Sequence, residues 1–273
     1  MRAVRRPLLV LHPDAAFRAR VRRAGEEEYE YHDVADWESL VEAVETTPPA
    51  ALIVVDPYAR ANGNKVLSPL LRTLLAQFPS LAVVAALEVT PSRFEDVRVL
   101  GQWGVVQVIA LDHDDTQQAV ARRLRAARGR PLQALLEQTL PADASGRARA
   151  IIEAAADIVA VGGHGRDLAR ELFLSRRTLL RWCKRAGLPP PRTLLAWMRV
   201  LQAAELLDDP GRSVLSVAHI CGYSSDSGLR RITQKFLGAS PSAMREQGAF
   251  KLAARAFLAV FDESRKQEAR EAH

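Results

Sequence analysis

The sequence predicts an α/β, doubly wound, five-stranded parallel sheet in its first half and an all-α second half holding two helix-turn-helix units joined by a long helix. Three observations carry this. Five short apolar runs alternate with helical patterns up to about residue 128. Beyond the Pro/Ala/Asp/Ser/Gly stretch that closes at Gly146, apolar residues recur only at helical spacing. The basic charge is also unevenly shared: residues 145–250 contain 16 Lys+Arg against 9 Asp+Glu, residues 1–144 contain 17 against 19, and the tail from 251 contains 5 against 4. A hydrophobic content of 48% and a charged content of 26% are those of a soluble globular protein, and 273 residues suit about two domains. No apolar run approaches the roughly 20 residues that span a bilayer. The opening MRAVRRPLLVLHPD turns acidic too soon for a signal peptide, so a cytoplasmic location without a membrane partner is expected.

The strands come first. PLLVL (7–11), EYEYHDV (28–34), AALIVVD (50–56), LAVVAAL (81–87) and VVQVIAL (105–111) read as strands, the later ones continuous enough to be buried on both faces. Helical patterns fall between them at about 15–24, 37–46, 64–77, 91–102 and 114–128. Five βα units of this length imply a parallel sheet with helices on both sides. Residues 1–130 are thus one domain, with a short amphipathic piece from 129 and a linker over 131–146 after it; 147–247 is the helical domain and 248–273 a further amphipathic helix and tail.

In the helical part, residues 147–161 form an Ala-rich helix that stops at Gly162-Gly163. GGHG lacks a following Lys-Ser/Thr, which makes it a turn and not a phosphate loop. Ser213 to Arg245 then meets the demands of a helix-turn-helix: Ala218 is the small residue where two helices cross, and Gly222 can take positive φ at the turn. Ser225 or Asp226 can cap the next helix, whose Leu229, Ile232 and Phe236 share one face. Arg166 to Gly187 repeats the pattern, with Ala169 at the crossing, Phe173 at the turn, Ser175 as cap, and Leu179, Trp182, Cys183 and Ala186 on the inner face. A helix over 191–209 joins the two, with Pro at its start and Asp-Pro-Gly at its end. The second unit therefore presents an Arg/Gln/Lys front and the first an Arg/Lys front, the chemistry that suits a DNA major groove. In the first unit Arg176, Arg177, Arg181 and Lys184 are assigned to bases or phosphates, and Leu180 to a thymine methyl. In the second, Ser225, Asp226, Arg230 and Gln234 face the groove, with Arg231 and Lys235 on its phosphate walls.

Two such units on one long helix, the second running GYSSDSGLRRITQKFLGASPSAMR, resemble the AraC/XylS family of transcription regulators over residues 146–247. The resemblance implies that one chain reads two successive major grooves of double-stranded DNA and regulates transcription, with RNA polymerase or another regulator as further partners. Three departures stand out. Phe173 replaces the family's turn Gly, Gly228-Leu229 replace two aromatics, and Thr233 replaces a Phe. The first implies a strained turn, the others a thinner core under the second reading helix.

The front domain resembles a response-regulator receiver, with Asp56 at the end of the third strand where the phosphate-accepting Asp would stand. The remaining site positions depart: His12 and Pro13, with only Asp14 nearby, replace two acidic metal ligands, Ala85 or Ala86 replaces a Ser/Thr, and Ala110 or Leu111 replaces a Lys. A lone carboxylate lacks the metal and cations that phosphoryl transfer needs, which makes this a pseudo-receiver with Asp56 as a degenerate phosphoacceptor or simply a strand-end cap. The crevice near His12, Asp14 and Asp56 is the default place for any sensed ligand. Cys183 and Cys221 have no metal-ligand spacing and read as small hydrophobes. With no nucleophile–base pair, metal cluster or nucleotide loop at usable spacing, no enzyme activity, cofactor or metal is expected. The tail stripe of Phe250, Ala253, Phe257, Val260 and Phe261 calls for cover, by the chain's own core or by a second copy in a homodimer. The alternative from another class is a protein-interaction adaptor whose DNA-binding domain has degenerated.

Overall fold

The computed structural model describes residues 5–48, 50–59, 66–114, 116–127, 140–141 and 143–271. Spatial contacts divide the chain into two compact units, Met1–Pro131 with Asp209–Gly211, and Leu132–Asp208 with Arg212–His273.

In the first unit the five strands are β1 (Arg6–Leu11), β2 (Tyr29–Asp33), β3 (Leu52–Val55), β4 (Ala82–Leu87) and β5 (Gln107–Ala110). All pair in parallel, in the order β2-β1-β3-β4-β5. Every residue of β3 and β4 is buried, as their unbroken Val/Ile/Leu/Ala runs require once helices cover both faces. Alternation sorts the side chains. Leu9, Leu11, Ile53, Val55, Val83 and Ala85 meet Trp37, Leu40 and Val44 of α2 (Trp37–Thr46), Leu71 and Leu74 of α3 (Pro69–Gln77) and Leu100 of α4 (Phe94–Trp103). Leu8, Val10, Leu52, Val54, Val84 and Ala86 meet Phe17 and Val21 of α1 (Ala15–Gly25) and Val120 and Leu124 of α5 (Gln117–Ala127). The sheet is therefore doubly wound.

Some element edges differ from the sequence expectation. β2 loses Glu28 and Val34, β5 loses Val105, Val106 and Leu111, and a short 3-10 turn over Pro91–Arg93 precedes α4. Predicted positions 64, 65, 115 and 128, and the amphipathic piece over 129–139, lie outside the described residues.

The second unit contains eight described helices: α6 (Gly146–Ala160), α7 (Gly165–Glu171), α8 (Arg176–Arg185), α9 (Pro191–Leu207), α10 (Val214–Ile220), α11 (Asp226–Leu237), α12 (Pro241–Gln247) and α13 (Ala249–Glu271). They close around a single core. α9 is its axis. From Leu194 to Leu207 all but Ala196 and Arg199 are buried, because helices pack on it from several sides.

The helix-turn-helix units hang on α9, and their two turns are hydrogen-bonded alike. In the first, Phe173 N donates to Arg170 O and Leu174 N to Ala169 O; in the second, Gly222 N donates to His219 O and Tyr223 N to Ala218 O. This geometry needs a left-handed residue. Gly222 adopts φ +81°, and Phe173 adopts φ +54°, the sole described non-glycine residue with positive φ. Phe173 is also 96% exposed, so its ring gains no burial in return.

The tail stripe is covered by the chain itself. Phe250, Ala253, Phe257 and Phe261 are buried and Val260 half-buried, with the Phe257 ring 5.8 Å from that of Trp197 on α9. The cover expected from the chain's own core is thus present. The helix α13 continues through the charged end to Glu271. Its start is capped from α9's end: Asp208 accepts from Ala249 N at 2.7 Å and from Phe250 N at 2.9 Å.

A left-handed conformation costs an L-residue about 1–2 kcal/mol, and glycine's extra unfolded-state entropy recovers roughly half of that difference. Phe173→Gly is accordingly expected to raise the melting temperature of the full chain by about 2 °C, read by far-UV circular dichroism. A lowered melting temperature would mean that the Phe173 ring stabilises the fold despite its exposure.

Candidate nucleic-acid interface

The basic faces form because each reading helix has an apolar side to bury. On α8, Leu179 and Cys183 are sealed into the core while Trp182 and Ala186, assigned to the same inner face, are half-buried. Arg147 of α6 stacks over the Trp182 ring at 4.8 Å, which bridges its outer side. The opposite side exposes Arg176, Arg177, Leu180, Arg181 and Lys184, all five residues assigned to it. Ser175 starts the helix as expected, its Oγ accepting from Thr178 N at 3.1 Å.

On α11, Arg230, Arg231, Gln234 and Lys235 are exposed, and Ser225 and Asp226 half-exposed. Arg230 pairs with Asp226 one turn earlier at 3.9 Å. Ser225 occupies the cap position, but its side chain makes no capping bond, so one expected start signal is missing. Beneath, Leu229 and Thr233 are fully buried and Ile232 and Phe236 half-buried. The Thr233 hydroxyl donates to Arg230 O at 3.1 Å, which satisfies a polar group in a position that an aromatic would otherwise fill. Phe236 meets the Trp197 ring edge-on at 4.8 Å, restoring part of the lost contact. Arg245 fastens this unit to the end of α9, donating from Nε to Leu207 O at 2.8 Å and from Nη2 to Arg212 O at 2.7 Å. Neither this clamp nor the Asp208 cap was legible in the sequence.

Two hollows flank α8. One, of about 670 Å³, lies along its basic face between Arg177, Arg181 and Lys184 and the Leu188-Pro189-Pro190 connection. The other, an open hollow of about 690 Å³, lies at the N-terminal ends of α7, α8 and α9 and is lined by His164, Arg166, Arg176, Arg192 and Arg199. Of these, the sequence pattern points only to Arg176. The others come from separate helices, so no local spacing announces them.

In the sheet-containing unit, the residues at the receiver-like site positions have structural partners. The Asp56 carboxylate accepts from Tyr58 N at 2.9 Å, the turn expected of a strand-end Asp before Pro57. Asp14 caps α1 by accepting from Ala16 N at 2.8 Å. His12 is buried, accepts from Asp14 N at 3.1 Å and packs on Phe17, and burial lowers its pKa. Ala85 and Ala86 are sealed in the sheet. Ala110 N donates to Asp114, whose buried carboxylate also receives Arg123 Nε at 2.9 Å. Among the described residues, no three His, Cys, Asp or Glu side chains converge as a metal site, and no helix is long and apolar enough to cross a membrane. Burial pushes the thiols up, Cys183 to about 11 and Cys221 to about 12, so neither carries a reactive thiolate at neutral pH.

Residues 168–247 match the family model described as a helix-turn-helix domain. A comparison with curated proteins finds no match. Among solved structures, one described as the xylose-binding transcription activator xylR aligns over 90% of this chain and 71% of its own, at 14% identity and a TM-score of 0.38. That likeness is too low to transfer a fold or a ligand.

Proposed function

We propose that this chain, whose residues 168–247 form an AraC-type helix-turn-helix domain, is a sequence-specific transcription regulator that lays α8 and α11 in two successive major grooves of one duplex. One observation carries the reading: both helices turn a cationic side outward while their apolar sides are locked into one core on α9. Arg181 and Arg230 are the base readers in this account, with Arg176, Arg177 and Lys184 serving bases or phosphates and Arg231 and Lys235 on the phosphate walls. Gln234 suits adenine, and Leu180, 52% exposed among these cations, suits a thymine methyl.

Control by the first unit is independent of phosphorylation in this reading. The engagement of Asp56 with Tyr58 N and the Ala85/Ala86 wall support it, since neither leaves groups that would hold a metal or a developing phosphoryl charge.

Arg181→Ala and Arg230→Ala should each cost about 1–3 kcal/mol on the cognate duplex and relax specificity at one position, with smaller losses on random duplex. Gel shifts on both duplexes at 50 and 200 mM salt measure this. Equal, negligible losses would remove these residues from the contact list, and salt-insensitive or absent duplex binding would favour a protein-interaction adaptor. Incubation with acetyl phosphate and Mg²⁺ should leave the intact mass unchanged; a phosphoryl adduct on Asp56 would overturn the phosphorylation-independent reading.

A further inference from the structure

We propose that the hollow lined by His164, Arg166, Arg176, Arg192 and Arg199 is a phosphate-binding site beside the base-reading face of α8, which shares Arg176 with it. Its lining holds four guanidinium groups and no carboxylate. The nearest acidic side chain in sequence, Asp167, is already engaged, accepting from His164 N at 2.9 Å and pairing with Arg170 at 3.4 Å. Among the described residues Arg166, Arg176 and Arg192 have no ion-pair partner. All three also stand in the first turn of their helices, where aligned peptide dipoles disfavour a cation. Three exposed cations converging at these ends repel one another modestly, and an anion that joins them removes the repulsion.

The fourth guanidinium is placed in advance. Arg199 Nη2 donates to Gly163 O at 2.9 Å and lies 3.2 Å from His164 Nδ1, which fixes the group at the wall and leaves further N–H donors available. Forked guanidinium donors match the tetrahedral oxygens of a phosphate better than a point charge would. The α9 backbone adds to the field, because its first turn begins at Pro190-Pro191 without a side-chain cap. Leu179 and Leu195 supply an apolar wall. The hollow, of about 690 Å³, opens to solvent, which leaves room for a phosphate carried on a larger body. That body is either a DNA strand beside the groove that α8 enters or a free phosphorylated small molecule. The first source rests on the function proposed above; the second does not.

The test uses the full chain and the double variant Arg166→Ala/Arg192→Ala, both positions being exposed, with circular dichroism and melting to confirm folding. Duplex binding is measured by anisotropy on cognate and random DNA across salt, and inorganic pyrophosphate binding by calorimetry without DNA. A DNA phosphate in the hollow predicts an equal loss on both duplexes, about tenfold, and a log–log salt dependence shallower by about one. A free phosphate source predicts saturable pyrophosphate binding to the wild type that the double variant lacks. Unchanged duplex affinity and salt slope, together with no pyrophosphate binding, overturn the proposal. Wild-type chain that ignores duplex yet takes up pyrophosphate in this Arg-dependent way refutes the regulator reading while leaving the phosphate site standing.

Discussion

The burial of α9 is the constraint on which the helical unit depends. A helix apolar on nearly every side must be wrapped, and α9 is wrapped by α6, α13 and the two helix-turn-helix units. Each wrapping helix spends its apolar stripe on that axis, which leaves its remaining side to water. The outward cations of α8 and α11 therefore stand on helices that share one core.

The two units meet this constraint with unequal means. The first keeps a well-sealed inner face, Leu179 and Cys183, but forces Phe173 into a left-handed turn. The second has the glycine its turn demands at Gly222, yet must close its core around Thr233. Long-range ties offset these weaknesses: Arg245 binds the second unit to the end of α9, Asp208 caps α13, and Arg265 of α13 pairs with Asp143 at 2.6 Å. Arg265 also lies so close to Gly187, just beyond α8, that a Cβ there would come within 2.4 Å of its Cγ. Only a residue without a side chain lets α13 run past the first unit at this distance.

Much of this was legible in the residues. Strands β3 and β4 announced themselves by unbroken apolar runs, and the reading helices by a stripe opposite a cationic front. Short-range devices such as Ser175 and Gly222 were equally plain. What escaped notice depends on contacts between distant residues. Asp208 reads locally as a helix stop, and only the return of the chain at Ala249 makes it a cap. His164, Arg166, Arg192 and Arg199 look like ordinary surface polar residues until three helices bring them around one hollow. Ser225 shows the converse, a residue of the right type at the cap position whose side chain makes no bond. In the first unit, Asp56 was ambiguous because a strand-end Asp serves either chemistry or a turn; its bond to Tyr58 N fits the turn.

The central claim is that one molecule grips two neighbouring grooves with two helices fixed on one axis. Hydroxyl-radical footprinting of the purified chain on a selected duplex tests it most directly. The account predicts two protected segments on one face of the duplex, about one helical turn or roughly 34 Å apart, in a sequence without dyad symmetry and at one chain per site. A single protected segment per chain, or protection with no preferred sequence, would contradict it.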